Sequence, residues 1–306
     1  MAMKTRGRQR RRKAPPFWAT VTTVCLLLAA YWLGLLDPVF DYLESNSWNV
    51  GPSYNHVQGE GLYVHFLSVG KADSILVICD GETMLVDAGE AETVDYVVSY
   101  AKKQGIARLD YIVATHPHMD HIGGMPEVIK RFTPGMCYIS PRTHTTNAFM
   151  LLINNLEAYG VETVMPKVGQ KAAIGAATIT FYAPNRDDYK EMNDSSLVFM
   201  LEYQGVRILF AADAESESES DMLDGELSLR ADVLKVAHHG SNSSSKKAFI
   251  EAVNPDYAVI TQADIADSSD KVLERLRNVG AEIFSTDNGE VLLSVEGGVL
   301  RIDYAK

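Results

Sequence analysis

Hydrophobic and polar positions along this 306-residue chain fall into three regimes. Residues 17–36, FWATVTTVCLLLAAYWLGLL, carry no charge and match the roughly 20 residues that a helix needs to cross a bilayer core. Residues 37–60 hold turn formers without sustained periodicity and read as a tether. From Gly61 onward, short β-rich runs come first: LYVHFLSV, SILVIC and TMLVD, broken at VGKAD and DGE. The stretch AETVDYVVSYAKKQG is helical in pattern and leads into the buried-type strand LDYIVATH. A loop region, the helix NAFMLLINNLEAYG and a second set of strands follow, ATITFYAP, SLVFMLEY and VRILFAAD. The last part alternates: ADVLKVAHH, a helix near SKKAFIEAV, the strand DYAVIT, the helix DKVLERLRNVG, and strands at AEIFST and EVLLSV. Two strand-rich halves with interspersed helices predict a mixed α/β domain of the α+β kind over 61–306, with two sheets face to face and helices outside.

Charge divides along the same lines. The formal net charge is -12, but residues 1–16 hold seven basic side chains and no acidic one, leaving 21 basic against 40 acidic, or -19, in the remainder. A basic segment ahead of the apolar run predicts a cytoplasmic N-terminus, a single-pass signal anchor in the cell membrane and an extracytoplasmic domain. A cleaved signal peptide is the rival, disfavoured because no small-x-small site follows Leu36. The run RGRQRRRK is read as a topology signal rather than a nucleic-acid contact. Hydrophobic content of 46% excludes a disordered chain, and three cysteines exclude a disulfide framework. Cys79 is expected to be a buried thiol, and a Cys79–Cys137 bond is the one disulfide available beyond the membrane segment. SESES from Ser216 is expected to be an acidic, solvated helix start.

The chemistry concentrates in THPHMDHIGG, where His116, His118, Asp120 and His121 follow the strand DYIVAT and run into a Gly-rich turn. Four ligand-type side chains in six residues are too dense for a core. Alternate side chains diverge, so His116 and His118 can meet one cation while Asp120 and His121 meet its neighbour. Gly123 and Gly124 let the backbone fold back closely.

Through this HxHxDH signature the sequence resembles the metallo-β-lactamase fold hydrolases from about Gly61 to the C-terminus. More narrowly it resembles the branch holding the exported hydrolase domain of ComEC-type DNA-uptake proteins and the pneumococcal phosphorylcholine esterase. VGKADSILV (69–77), LVDAG (85–89), NDSSLVF (193–199), ILFAADAE (208–215) and DVLKVAHHGS (232–241) carry that likeness in the same chain order. The resemblance implies an αββα sandwich with two Zn2+ ions, or Mn2+ in their place, at the edge between the sheets. It implies that Asp213 bridges both metals, that His238 or His239 completes the second site, and that Asp87, with Asp73 acting similarly, orients ligating histidines. Two departures stand out. Where many members supply a third histidine to the first metal this chain reads EMNDSSLVF, so Asn193 or Asp194 approaches the metal or the site is more open. The usual VGQGD reads VGKAD, bringing Lys71 near the site, and Ala212 replaces the usual Gly before the bridging Asp. His144 is a candidate substrate contact, and His65 a structural side chain.

The reaction implied is hydrolysis by a metal-activated hydroxide, with Asp120 and Asp213 positioning it and His238 or His239 helping the leaving group. Iron-based redox relatives carry Glu at the position of His118, so His favours hydrolysis. Within the branch the expected substrate is a small or cell-surface phosphodiester. An excess of acid beyond the membrane segment disfavours long nucleic acid, because duplex binding draws on Lys and Arg neutralising phosphates. The alternatives are a hydrolase of another ester class (lactone, thioester, β-lactam) and a non-catalytic metal-binding or sensory module.

Overall fold

The computed structural model describes residues 59–305. The basic start, the apolar segment at 17–36, His56 and most of the tether lie outside them. No helix among the described residues is long and apolar enough to cross a membrane.

Strands here are apolar on both faces, and the fold follows from that. In β1 (Leu62–Phe66), Leu62, Val64 and Phe66 point into one apolar layer and Tyr63 into another. In β9 (Val198–Tyr203), Phe199 and Leu201 face the first layer while Val198 and Met200 face a third. A strand of alternating apolar side chains, all buried, must be covered on both sides. Each such Leu, Val or Phe contributes roughly 1.5–3 kcal/mol over its exposed form. The described residues accordingly form two sheets. One runs β15 (Val299–Tyr304), β14 (Val291–Glu296), β1, β2 (Ile75–Cys79), β3 (Glu82–Val86), β4 (Tyr111–Ala114), β5 (Met136–Ile139), β6 (Glu162–Val164), and the other β13 (Glu282–Ser285), β12 (Tyr257–Ile260), β11 (Val233–Lys235), β10 (Val206–Phe210), β9, β8 (Ala177–Ala183), β7 (Lys171–Ile174), numbered in chain order. The central layer packs sheet against sheet, and helices cover the outer faces. Helices α1 (Val94–Lys103), α3 (Met125–Phe132) and α4 (Asn147–Ala158) contribute to the layer on the first sheet. Helices α6 (Lys247–Val253) and α7 (Asp270–Asn278) contribute to that on the second. This is the αββα sandwich.

Strands β3 (Glu82–Val86), β4 (Tyr111–Ala114) and β5 (Met136–Ile139) are parallel neighbours. So are β10 (Val206–Phe210), β11 (Val233–Lys235) and β12 (Tyr257–Ile260). Their carboxyl ends all open at one edge of the sandwich, where ligands bind in such sheets. Leu197 N donates to Thr115 O at 2.9 Å and ties the two sheets there.

The buried thiol expected at Cys79 is observed, and one expectation is corrected. Cys79 lies in the central layer and Cys137 in the outer layer of the first sheet; both are free, so they form no disulfide. The SESES run does start a helix, α5 (Ser216–Leu223), with Ser216 and Ser220 exposed, but Ser218 and Glu219 are buried and the Glu219 carboxylate accepts from Lys246 N at 2.9 Å. Folding against the start of α6 removes that face of the run from solvent.

Opposite the site, Asp80 joins three segments. Its carboxylate accepts from Gly61 N (2.8 Å), Tyr203 Oη (2.9 Å) and Ala176 N (3.1 Å). Burial disfavours the ionised form, but these donors outweigh it and hold the carboxyl below its usual value. Stability from this group is therefore present above the ordinary aspartate pKa and lost as pH falls through the depressed one. Asp80→Ala is expected to cost about 1–3 kcal/mol in urea unfolding at neutral pH and much less in acid.

Candidate metal centre

Backbone geometry sets the site. The chain leaves β4 through Thr115, His116 and Pro117 into the short helix α2 (Met119–Ile122), then turns at Gly123 and Gly124. A Cβ on Gly124 would sit 2.3 Å from the Ala88 carbonyl oxygen, so only glycine lets α3 start against the segment after β3. Four non-glycine residues here have left-handed backbones: Asp87 (φ 56), Ala212 (φ 45), His238 (φ 49) and His239 (φ 51). Each such residue stores on the order of 1–3 kcal/mol, and strain of that kind gathers at functional sites. Ala212 is held in place by its carbonyl, which accepts from Lys235 Nζ and His238 N, each at 3.0 Å. The consecutive turns at His238 and His239 send the two rings apart. His239 points inward and is buried, whereas the His238 side chain keeps 26% exposure.

The structure brings Asp120, His121, Asp213 and His239 together, with one ligand atom of each within 4.8 Å of all the others. Asp213 Oδ2 is the hub. It lies 3.3 Å from His121 Nε2, 3.7 Å from His239 Nε2, and 3.9 Å from both His116 Nε2 and His238 Nε2. His116 Nε2 and His118 Nδ1 stand 3.1 Å apart beside it. Two groups of imidazoles thus flank one carboxylate.

The outer hydrogen bonds fix the tautomers. His121 Nδ1 pairs with Asp87 Oδ2 at 2.7 Å, and His239 Nδ1 donates to Thr261 O at 2.8 Å, so both turn Nε2 inward, where a bound cation would take the place of any proton. Asp87 is itself held by Thr115 N and Oγ1, at 2.9 and 2.6 Å. Asp73 accepts from Thr261 Oγ1 at 2.5 Å and pairs with the buried Lys235 ammonium. It therefore braces Thr261 and Lys235, and it also stands 3.6 Å from His239 Nδ1 and 3.7 Å from His121 Nδ1.

His121 Nε2, His239 Nε2 and Asp213 Oδ1 are buried and make no hydrogen bond. Orphaned buried acceptors aimed at one space are costly unless a cation satisfies them, and a nitrogen and carboxylate donor set suits a divalent metal. Charge says the same. Asp73, Asp87, Asp120 and Asp213 converge on this region, with Lys235 as the buried ammonium among them. Burial would lower His121, but Asp213 and Asp87 outweigh it and hold this imidazole well above its usual pKa. Asp213 is held well below its own, the charges of His121 and His239 overriding desolvation. Burial keeps His116 and His118 below the usual histidine value, hence neutral and ready to ligate.

The remaining candidates divide. Asn193 reaches the site: its Nδ2 lies 3.0 Å from Glu215 Oε1 and 3.3 Å from His238 Nδ1, and its buried Oδ1 makes no hydrogen bond. Asp194 does not reach it. Its Oδ1 accepts from Glu215 N and Ser218 N, each at 3.0 Å, securing the start of α5. Lys71 is exposed on the turn before Asp73. His144 lies at a neighbouring cleft, its Nδ1 accepting from Thr146 N at 3.3 Å. His65 is buried with Nδ1 2.8 Å from Tyr100 Oη, a structural role. Sequence reasoning missed Lys235, Thr115, Thr261 and Glu215. Only Lys235 left a signal, as a charge inside the apolar run DVLKVA.

Such a pocket, with imidazoles and carboxylates gathered at the strand ends of a two-sheet sandwich, defines a metal-dependent hydrolase. The chain belongs to the Metallo-beta-lactamase superfamily, whose family model matches residues 67–261. It is similar to ComE operon protein 3 of Bacillus subtilis, 27% identical over 199 residues, or 64% of this chain and 26% of that protein. A shorter likeness, 40% over 62 residues, links 20% of the chain to 23% of a hydroxyacylglutathione hydrolase of Aliivibrio salmonicida. The chain thus spans about a quarter of the length of these curated relatives. Among solved structures, the metallo-beta-lactamase fold protein YhfI from Bacillus subtilis shares the fold, with a TM-score of 0.51 at 14% identity over 80% of this chain and all of that one.

Proposed function

We propose that this chain is a dinuclear zinc phosphodiesterase, anchored by residues 17–36 with its catalytic domain (61–306) outside the cytoplasm. Manganese is the alternative metal. In this reading His116 and His118, with Asn193 Oδ1 as the neutral third partner, hold one ion. Asp120, His121 and His239 hold the other, and Asp213 faces both. The ions, when bound, supply Lewis acidity and a nucleophile from water at neutral pH. The chain's own residues do the rest. Asp120, about 30% exposed at the mouth, orients the attacking water through its carboxylate. His238 is left over from the inner cluster, and it carries the phosphodiester reading. Its Nδ1 is fixed by Glu215 Oε1 at 2.9 Å and Ser243 Oγ at 3.1 Å, so its Nε2 can give a proton to a leaving oxygen. An alkoxide leaving group needs that proton, whereas a thiolate departs without it. The net acidity of the chain favours a small or surface-tethered diester over long nucleic acid.

The likeness to a hydroxyacylglutathione hydrolase supports a second reading, thioester hydrolysis. The full chain is expected to hydrolyse bis(p-nitrophenyl) phosphate in a chelator-sensitive way. Cleavage of a glutathione thioester with none of the diester would overturn the proposal.

The two adjacent histidines are expected to separate by experiment. His239→Ala should lower bound metal by about one ion per chain, because it removes an inward Nε2. His238→Ala should keep both ions while slowing cleavage of a diester with an alkyl leaving group about 10²–10⁴-fold, the usual contribution of a positioned acid, and should slow bis(p-nitrophenyl) phosphate, whose phenolate leaves unprotonated, far less. Metal analysis by plasma emission alongside kcat checks both.

A further inference from the structure

Beside the turn that bears Asn193 lies a cleft of about 520 Å³, lined by Arg142, Thr143, His144, Arg186, Met192 and Ser195, with Asp187 exposed at its rim. One wall is loop 140–146, between β5 and α4. Ser140 Oγ donates to Ser195 O at 2.7 Å and Arg142 N donates to Ser140 Oγ at 3.2 Å, which fixes this loop against the turn that bears Asn193. Arg142 and His116 border the same small interior gap, which places the loop beside the strand end that bears His116.

The two arginines of the cleft differ in their charge balance. Arg186 pairs with Asp188 (3.1 Å), Glu217 (2.5 Å) and Asp221 (2.9 Å) and stacks over Tyr189, its carbon 4.2 Å from the ring centre. Its charge is spent within the fold. Arg142 is half-buried, makes no ion pair among the described residues, and donates only from Nη1 to Tyr189 O, at 3.3 Å. In a chain with excess acid, a guanidinium kept free of carboxylates in a cleft beside the turn that bears Asn193 has most of its donors left for a ligand. Its planar fork matches two oxygens of a phosphate.

We infer that Arg142 is the specificity-determining residue of this hydrolase, binding the anionic oxygens of the phosphodiester substrate in this cleft while His144 forms its outer edge. The inference rests on the phosphodiesterase reading. It explains how a net-acidic protein holds an anionic substrate without a broad basic surface: one uncompensated charge is placed where the phosphate must sit. A neutral ester would gain nothing from it.

The test compares wild type, Arg142→Gln and Arg142→Lys. Arg142→Gln is expected to raise KM for bis(p-nitrophenyl) phosphate at least tenfold, leave kcat within about threefold and metal content unchanged, and have no effect on hydrolysis of p-nitrophenyl acetate. Arg142→Lys should recover part of the loss. Calorimetry with inorganic phosphate should show a matching tenfold weakening. Equal KM and equal phosphate affinity in wild type and Arg142→Gln would overturn the assignment, as would equal losses on the neutral ester. If wild type cleaves no diester, the functional reading fails, and the phosphate titration still decides whether Arg142 binds the anion. If Arg142→Gln does not fold, Arg142→Lys decides: a wild-type KM with wild-type phosphate affinity contradicts the need for the fork, and an intermediate value supports it.

Discussion

Asp213→Asn is expected to reduce bound metal from two ions per chain to at most one and to slow diester hydrolysis at least about 10³-fold, or roughly 4 kcal/mol of transition-state stabilisation. Asp213 Oδ2 lies within 3.9 Å of four imidazole nitrogens, two from each side of the site, and Oδ1 has no hydrogen-bond partner. An amide fills the same space, so the fold is retained. It presents one weaker acceptor and no charge, and so cannot neutralise and join two cations as a carboxylate does. Plasma emission and steady-state kinetics on the same sample check the pairing of the two losses. Full metal content with unchanged kcat would show that Asp213 is not the bridge.

Lys235→Met should give the largest stability loss. The lysine is fully buried; its ammonium pairs with Asp73, donates to Ala212 O at 3.0 Å and stands 3.9 Å from Asp213 Oδ1. Methionine fills the volume but leaves Asp73 as an uncompensated buried charge and removes a brace from the left-handed Ala212. Breaking a buried pair from one side costs about 3–5 kcal/mol. In chelated protein the melting midpoint is expected to fall by roughly 10 °C, given the usual slope for a domain of this size. A shift under about 2 °C would mean that Asp73 is not held by this ammonium.

The candidate centre was legible in uneven measure. HPHMDH stood out because its ligand-type residues are adjacent in sequence, which a packed core does not require. Asp213 sits alone at a strand end and was visible only through resemblance. The choice between His238 and His239 depends on two left-handed residues in a row, a backbone fact that composition does not carry. Lys235 looked out of place in an apolar strand, but its partners Asp73 and Ala212 are far away in the chain and come together only when β11 enters the second sheet. Arg142 reads as an ordinary loop arginine until the carboxylates that neutralise Arg186 are seen to leave it alone.

For the fold, long apolar runs such as SILVIC and SLVFMLEY announced their strands because both faces are covered. Short or exposed elements did not. Helix α3 spans eight residues with Pro126 in its first turn, and β5 only four; both fall in a stretch whose pattern reads as loop. The edge strand β15 (Val299–Tyr304) alternates exposed and half-buried residues and pairs on one side with β14 (Val291–Glu296), so it lacks the apolar signal of a central strand.

The central claim is that one two-metal pocket hydrolyses phosphodiesters. Its most direct test is the chelator-sensitive cleavage of bis(p-nitrophenyl) phosphate by the full chain and by His118→Ala, with metal per chain measured on both. The wild type is expected to hold two ions and turn over, the variant to hold fewer ions with turnover reduced at least a hundredfold, and chelated wild type to regain activity on addition of zinc or manganese. Equal turnover by the two proteins, or a purified wild type that cleaves the diester without retaining metal, would contradict it.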